Sequence, residues 1–394
     1  MSETRPTAVS PVTVSPGDGT SGAGTSDVIT SRAVTSPVVA SHRDAQADSG
    51  RHGNPEDVSI VRPTLQEQTT RPPDANLFHI IGASFAIAMP FVGLLAAMIV
   101  SWKTGWLDAT QLAILFVGQA LTGMGVTVGY HRMLTHRSFQ TYRPIRTFWT
   151  VLGALAAQKS PIEWCATHRK HHALSDKPGD PHSPHENAPG FWNSLKGFWH
   201  AHAGWIVTGH LIRTDQQRYA PDLLQDPVAV WIHRTWEPVW FPLTFLLPTV
   251  IAWAITGTGE GALLGFLWGG CARVFLVQHI TFSVNSVCHL FGSRDYQASD
   301  QSRNNFLCGL LSAGEGFHNN HHAFPTSARH GLEWWQLDAS WYVIRLMQLC
   351  GLAWDVKLPS AEMKHAKRLQ ASDTLPAASA AVLESATECG IHQP

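Results

Sequence analysis

"HIIGASFAIAMPFVGLLAAMIVSW", residues 79–102, runs for 24 positions without a Lys, Arg, Asp or Glu. A helix needs ~20 such residues to cross the hydrocarbon core of a bilayer. A second uncharged run, "ATQLAILFVGQALTGMGVTVGY", covers 109–130, with only Lys103 and Asp108 charged between the two. A third, "PVWFPLTFLLPTVIAWAITGTG", covers 238–259, and a fourth extends from Gly261 to about residue 284 with Arg273 inside it. Buried core helices of a soluble protein are the alternative, and four runs of this length make it a poor one. The fold class expected is therefore an all-α integral membrane protein with four transmembrane helices.

Topology follows from the connections. The first two runs form one hairpin and the last two another, so the N-terminal segment, the long 131–237 segment and the C-terminal portion share one side. That side carries Arg132, Arg137, Arg143, Arg146, Lys159, Arg169 and Lys170. The positive-inside tendency makes it cytoplasmic, with both termini in the cytoplasm. Within it, "RTFWTVLGALAAQ" (146–158) is too short to span and reads as an interfacial or buried helix.

Composition agrees with a membrane setting. Charged residues make up 14% of the chain, against ~25% in ordinary soluble domains, and Trp is abundant at 16. A net charge of −1 leaves no basic field for nucleic acid. The six cysteines are dispersed without a C-x-x-C pair, so neither a disulfide framework nor an iron–sulfur site is indicated. Residues 1–75, rich in Ser, Thr, Pro and Gly, read as a disordered tail, and residues 361–394 as a second one. The ordered domain expected is 76–360.

Histidine is concentrated on the shared side. "HRMLTH" supplies His131 and His136, "HRKHH" supplies His168, His171 and His172, and "HNNHH" supplies His318, His321 and His322. His289 follows the fourth run, with Asn285 four positions earlier. Spacings of i, i+3 and i+4 put three imidazoles on one helix face. Nine imidazoles exceed what one metal can use, and two ions with four or five ligands each is the natural division. All-nitrogen ligation suits Fe, Zn, Cu or Ni. The carboxylate-rich di-iron bundles need two Glu-x-x-His motifs, and only Glu315-x-x-His318 is present. Glu315 is then either an outer partner of a ligand or a helix-cap residue. Asn285 is suited to hold a metal-bound water, or is a polar residue at a helix end.

The order H-x4-H, H-x2-H-H, N-x3-H, H-x2-H-H resembles the membrane fatty acyl desaturases of the stearoyl-CoA Δ9 type. The flanking words "EWCATHRKHH", "GDPH", "GFWHAHAGW", "NSVCHLFG", "GEGFHNNHHAFP" and "GLEWWQLD" match as well, over about residues 80–358. The resemblance implies two iron ions held by the nine histidines, with Asn285 acting through water, in a cytosolic helical cap on the four spans. It implies O2-dependent insertion of a cis double bond, commonly Δ9, into a saturated C16–C18 acyl chain. It also implies a bend in the substrate tunnel lined by Gln158, Trp164 and Thr281; ordinary packing is the other reading of these three.

One departure bears on the acyl carrier. The animal acyl-CoA members carry a basic pair shortly after the H-x-G-W word, and "HAGWIVTGHLIRTD" has Gly209 and His210 there, with Arg213 nearby. "RYAPDLLQDP" and "SARHGLEWW" are closer to bacterial and plant desaturases, some acting on lipid-bound chains. The carrier stays open among CoA, acyl carrier protein and lipid. A related histidine-box hydroxylase acting on an alkane, sterol or carotenoid is one rival. A membrane metal transporter or haem protein is another, although the first three runs offer no deep partner for His279. Electrons are expected from a separate ferredoxin-, rubredoxin- or cytochrome-type donor with its reductase.

Overall fold

The computed structural model describes residues 77–369 except 106, 186–189 and 210–213. The expected N-terminal tail and most of the C-terminal one lie outside the described residues, as do His210 and Arg213. The described residues are mostly helical, and among them four helices are long and apolar enough to cross a membrane: Ile80–Thr104, Ala109–Thr135, Trp236–Thr256 and Gly259–Leu290. They coincide with the four apolar runs of the sequence.

In chain order, α1 is Leu77–Thr104, and α2, Ala109–Met124, opens on a capping box of Asp108 and Gln111. A wide π-helical stretch, Gly125–Thr135, completes the second span. Then come α3 (Arg143–Ala154), α4 (Pro161–Leu174), α5 (Phe191–Trp199), α6 (Gln216–Tyr219) and α7 (Pro227–Arg234). The third span is α8 (Phe241–Thr256), entered through a π-turn at Trp236–Trp240. The fourth is α9 (Gly259–Leu264), a π-helical stretch, and α10 (Arg273–Leu290). The short helices α11 (Phe306–Leu311), α12 (His318–Ala323), α13 (Ala339–Leu349) and α14 (Ala361–Lys367) follow. A two-residue antiparallel ladder pairs β1, Gln140–Thr141, with β2, Ala353–Trp354.

The spans pack against one another through polar and small residues. Arg273, the charge inside the fourth run, is buried. Its guanidinium donates to the Gly269, Leu155 and Thr244 carbonyls and to the Thr122 hydroxyl. One side chain thus ties the second, third and fourth spans to the end of α3, which is why a cation is tolerated at that depth. The helix read as interfacial or buried is α3. It lies across the π-helical end of the second span, where a Cβ on Gly125 would collide with the Gly153 and Leu152 backbone. Trp149, Tyr130, Leu134, Ile162 and Cys165 fill the apolar core between that end, α3 and α4.

Several cations counted as topology signals are internal. Arg132 is fully buried on Asp338, and Arg169 forks onto Asp222 while donating to the Leu134 and Thr135 carbonyls. The expected tail boundary at 361 also moves, because α14 begins there and is tied down. Lys367 donates to the Ala323 carbonyl at 2.6 Å, and Arg368 pairs with Glu333 at 2.6 Å.

Candidate metal centre

The second span delivers His131 and His136 on a π-helical backbone. In that geometry the hydrogen bonds run between residues five apart, and the His136 amide donates to the His131 carbonyl at 3.1 Å. The wide turn therefore brings the two rings together edge to face, with their centroids 4.8 Å apart. Helix α4 starts on a reciprocal cap between Ser160 and Glu163 with Pro161 in its first turn, and presents His168, His171 and His172. Helix α12 has six residues, too few to stand alone. Its two asparagines anchor it: Asn319 accepts from the Asp295 and Tyr296 amides, and Asn320 donates to the His330 carbonyl and Gln336.

All nine histidines converge in two groups. His131, His136, His168, His172 and His321 form one, and His171, His289, His318 and His322 the other; within each, one ring nitrogen per residue lies within 4.8 Å of the rest. The i, i+3, i+4 triplets do not serve one centre each, as their shared helix face suggests. On α4 the i and i+4 rings join the group of five and the i+3 ring the group of four. On α12 the assignment is reversed. Both helices bridge the groups, because the i+3 ring is turned away from its companions by about a quarter of a turn.

Carboxylates grip the outer nitrogens. His131 Nδ1 lies 2.6 Å from Glu315, His171 Nδ1 2.9 Å from Asp180, His289 Nδ1 2.9 Å from Asp176, and His322 Nδ1 2.7 Å from Asp300. Glu315 is thus a partner of a histidine and caps no helix; the cap position of α12 is Phe317, which makes no side-chain cap bond. Burial alone would raise these acids, but the histidines facing them prevail, holding Asp180 at about 2 and Asp176 and Asp300 below the usual range. Burial, then the neighbouring rings, pushes His136, His168, His172, His318 and His321 well below the ordinary imidazole value.

These contacts test whether a metal fits. An Nδ1–H donated to a carboxylate leaves Nε2 a bare lone pair. His171 Nε2 and His322 Nε2, both from carboxylate-held rings, face each other at 3.4 Å. His321 Nε2 stands 3.1 Å from His131 Nε2 and 2.9 Å from His172 Nε2. Neutral rings with converging lone pairs repel unless a cation lies among them, so the donor set fits a metal in each group. Imidazoles backed by carboxylates are the usual dress of such ligands.

Two cavities flank the groups. One of about 230 Å³ lies along the second and fourth spans, and one of about 530 Å³ is walled partly by α1. Trp164, His168, Thr281 and Asn285 line both, so the cavities abut beside the metal site. Gln158 donates to Thr281 Oγ1 at 2.8 Å and accepts from Trp164 Nε1 at 3.2 Å. Gln158 therefore hydrogen-bonds to both of the other residues expected at a bend. Gln158 sits between Ala157 and Lys159, both at positive φ (57° and 74°). That backbone is costly for non-glycine residues and recurs at functional sites.

Residues 104–350 match the fatty acid desaturase family. The chain belongs to it. Membership makes this desaturase an oxidoreductase of lipid metabolism, and its four apolar helices suit a membrane protein. It is 40% identical over 285 residues to a hex-5-enoyl-[acyl-carrier protein] acetylenase of Moorena producens, covering 71% of this chain and 87% of that one. It is 39% identical over 282 residues to an sn-1 stearoyl-lipid 9-desaturase of Anabaena variabilis (72% and 89%). It is 37% identical over 287 residues to an acyl-CoA 5-desaturase of Anemone leveillei (72% and 80%). The three relatives are named for three different carriers and for positions 5, 9 and 5 respectively.

Sequence reasoning missed part of the desaturase's site. Asp176, Asp180 and Asp300 went unassigned, although Asp180 stands in the quoted "GDPH". His330, in the quoted "SARHGLEWW", approaches Glu315 at 3.2 Å, and Arg132 approaches it at 3.4 Å. His279 does have a partner: its Nδ1 lies 3.0 Å from His202 Nε2, which comes from the "GFWHAHAGW" segment and not from a span.

Proposed function

We propose that the chain is an O2-dependent desaturase placing a cis double bond at Δ9 of saturated C16–C18 acyl chains, with two irons as resident metal. His131, His136, His168, His172 and His321 would hold one iron. His171, His289, His318 and His322 would hold the other, with Asn285 reaching it through water. The observation that carries the reading is the shared wall of the two cavities at Trp164, His168, Thr281 and Asn285. A chain threaded through both would pass the metal site at their junction. When bound, an iron pair supplies the strong oxidant, made from O2 and two electrons, that an unactivated methylene requires.

The chain's own residues do the positioning. Gln158, Trp164 and Thr281 hold the bend, which favours the cis product and selects the carbon pair presented to the metals. Buried apolar walls keep water from the reacting carbons. Asp176, Asp180, Asp300 and Glu315 keep the ligand rings aimed inward. The membrane desaturase domain is residues 76–360 extended by α14, the site faces the cytoplasm, and a separate donor protein with its reductase delivers the electrons.

The test is the fatty-acid profile of membranes expressing this chain, beside a His321→Ala control, with double bonds mapped by derivatisation. New cis-Δ9 C16 or C18 chains absent from the control are expected. A hydroxylated product would move the chain to the neighbouring oxygenases, and an unchanged profile from an iron-loaded, electron-supplied enzyme would refute desaturation of these substrates.

A further inference from the structure

We propose that the acyl chain reaches the metal site as part of a membrane glycerolipid, sideways, between the first span and the start of the third. This names the carrier for the desaturase reading above and rests on it. One wall of the larger cavity is the first third of α1, through Phe78, Gly82, Phe85 and Ile87, and the facing wall is Trp236 and Phe241. Phe78 and Phe85 are 86% and 58% exposed, and Glu237 beside Trp236 is exposed too. The cavity therefore reaches the surface at the ends of two spans. At that level a bilayer holds its ester groups, and Trp gathers there. A lipid tail entering here never leaves an apolar phase.

The polar groups of this wall suit an ester better than a phosphate-rich carrier. CoA is gripped through its phosphates by Arg and Lys. Among the described residues lining the cavity, the one such cation is Lys159. Its ammonium is already engaged, 3.6 Å from Glu237 and 4.0 Å from Glu163. Two carboxylates against one ammonium leave no surplus positive charge for a phosphate or for an acidic carrier protein. An ester-linked chain needs no such cation, so a wall without a free Lys or Arg among the described residues suits a neutral glycerolipid ester.

The test uses the full-length chain, iron-loaded and supplied with reduced ferredoxin, in two vesicle preparations. In one, the vesicles are phosphatidylcholine with perdeuterated stearoyl chains. In the other they are unlabelled, and perdeuterated stearoyl-CoA or stearoyl-acyl carrier protein is added. The expected result is a monounsaturated chain short of two deuterons within the intact phospholipid, formed at least about tenfold faster than from either thioester. Gly82→Trp supplies the second arm, since a Cβ at Gly82 meets nothing within 4 Å and the backbone there has room for a side chain to start. It should slow phospholipid conversion about tenfold or more at unchanged iron content. Faster conversion of a thioester overturns the lipid carrier and leaves the desaturase reading standing. Conversion of neither class, by an enzyme whose irons the donor reduces, overturns both. A Gly82→Trp enzyme with the unsubstituted rate on phospholipid overturns the side opening.

Discussion

A histidine is a better-aimed ligand when its other nitrogen is held, and Asp300 shows the cost of losing that hold. Its carboxylate takes the Nδ1 proton of His322 at 2.7 Å in a buried setting. In Asp300→Ala the ring is freed to rotate, and its Nδ1–H loses its partner. Metal affinity at the group of four should fall about 10- to 100-fold, measured by chelator competition, while the group of five keeps its ion. Equal loss from both groups would mean that Asp300 supports the fold and not one ring. The nine histidines were legible in the sequence because imidazole clusters are rare and their spacing is local. Their carboxylate partners were not. Asp176 meets His289 across 113 positions and Asp300 meets His322 across 22, and an aspartate has many other uses, so only the fold singles these out.

Helical spacing pointed to α4 and α12 as elements but left open how their histidines divide, and each helix splits its triplet between the two groups. The π-helical end of the second span was equally hidden, because no residue pattern announces a wider turn, yet it is what lets a spacing of five bring His131 and His136 together. The segment between α3 and α4 raises a further question of backbone geometry. Ala157 and Lys159, at positive φ, clamp Gln158 between them. In Ala157→Gly the relief of ~1–2 kcal/mol of left-handed strain is offset by the ~0.5–1 kcal/mol that glycine loses in chain entropy. Thermal stability should therefore change little. The looser strand should let Gln158 drift from Thr281 and Trp164, and the double bonds formed should spread to positions adjacent to the main one, read by mass spectrometry of derivatised products. A single unchanged position would show that the two side-chain hydrogen bonds fix Gln158 unaided.

For the whole molecule, the four spans were the most legible feature, because an uncharged run of more than 20 residues has few other uses. The C-terminal limit was the least, because α14 is polar and held by a few bonds that composition cannot reveal. The family match ends at residue 350, but the structure carries its ties further. Lys367 reaches the Ala323 carbonyl directly after the histidines of α12, Arg368 reaches Tyr296 and Glu333, and the Leu369 amide donates to the Asp295 carbonyl. A chain trimmed to residues 71–372 should keep its metal-binding capacity and its rate of acyl conversion within about twofold, since the hydrogen bonds and ion pairs of the described residues lie inside those limits. Trimming at 360 instead removes α14 and its bonds beside the loop that positions Asn319. At ~0.5–1.5 kcal/mol for each intramolecular hydrogen bond, the shorter chain should melt several degrees lower in detergent and lose iron sooner on warming. If the two truncations melt alike, α14 is a passenger and the ordered domain ends before it. If both are inactive though folded and iron-loaded, residues outside 71–372 belong to the enzyme's working parts, and the electron donor's docking site is the first role to test for them.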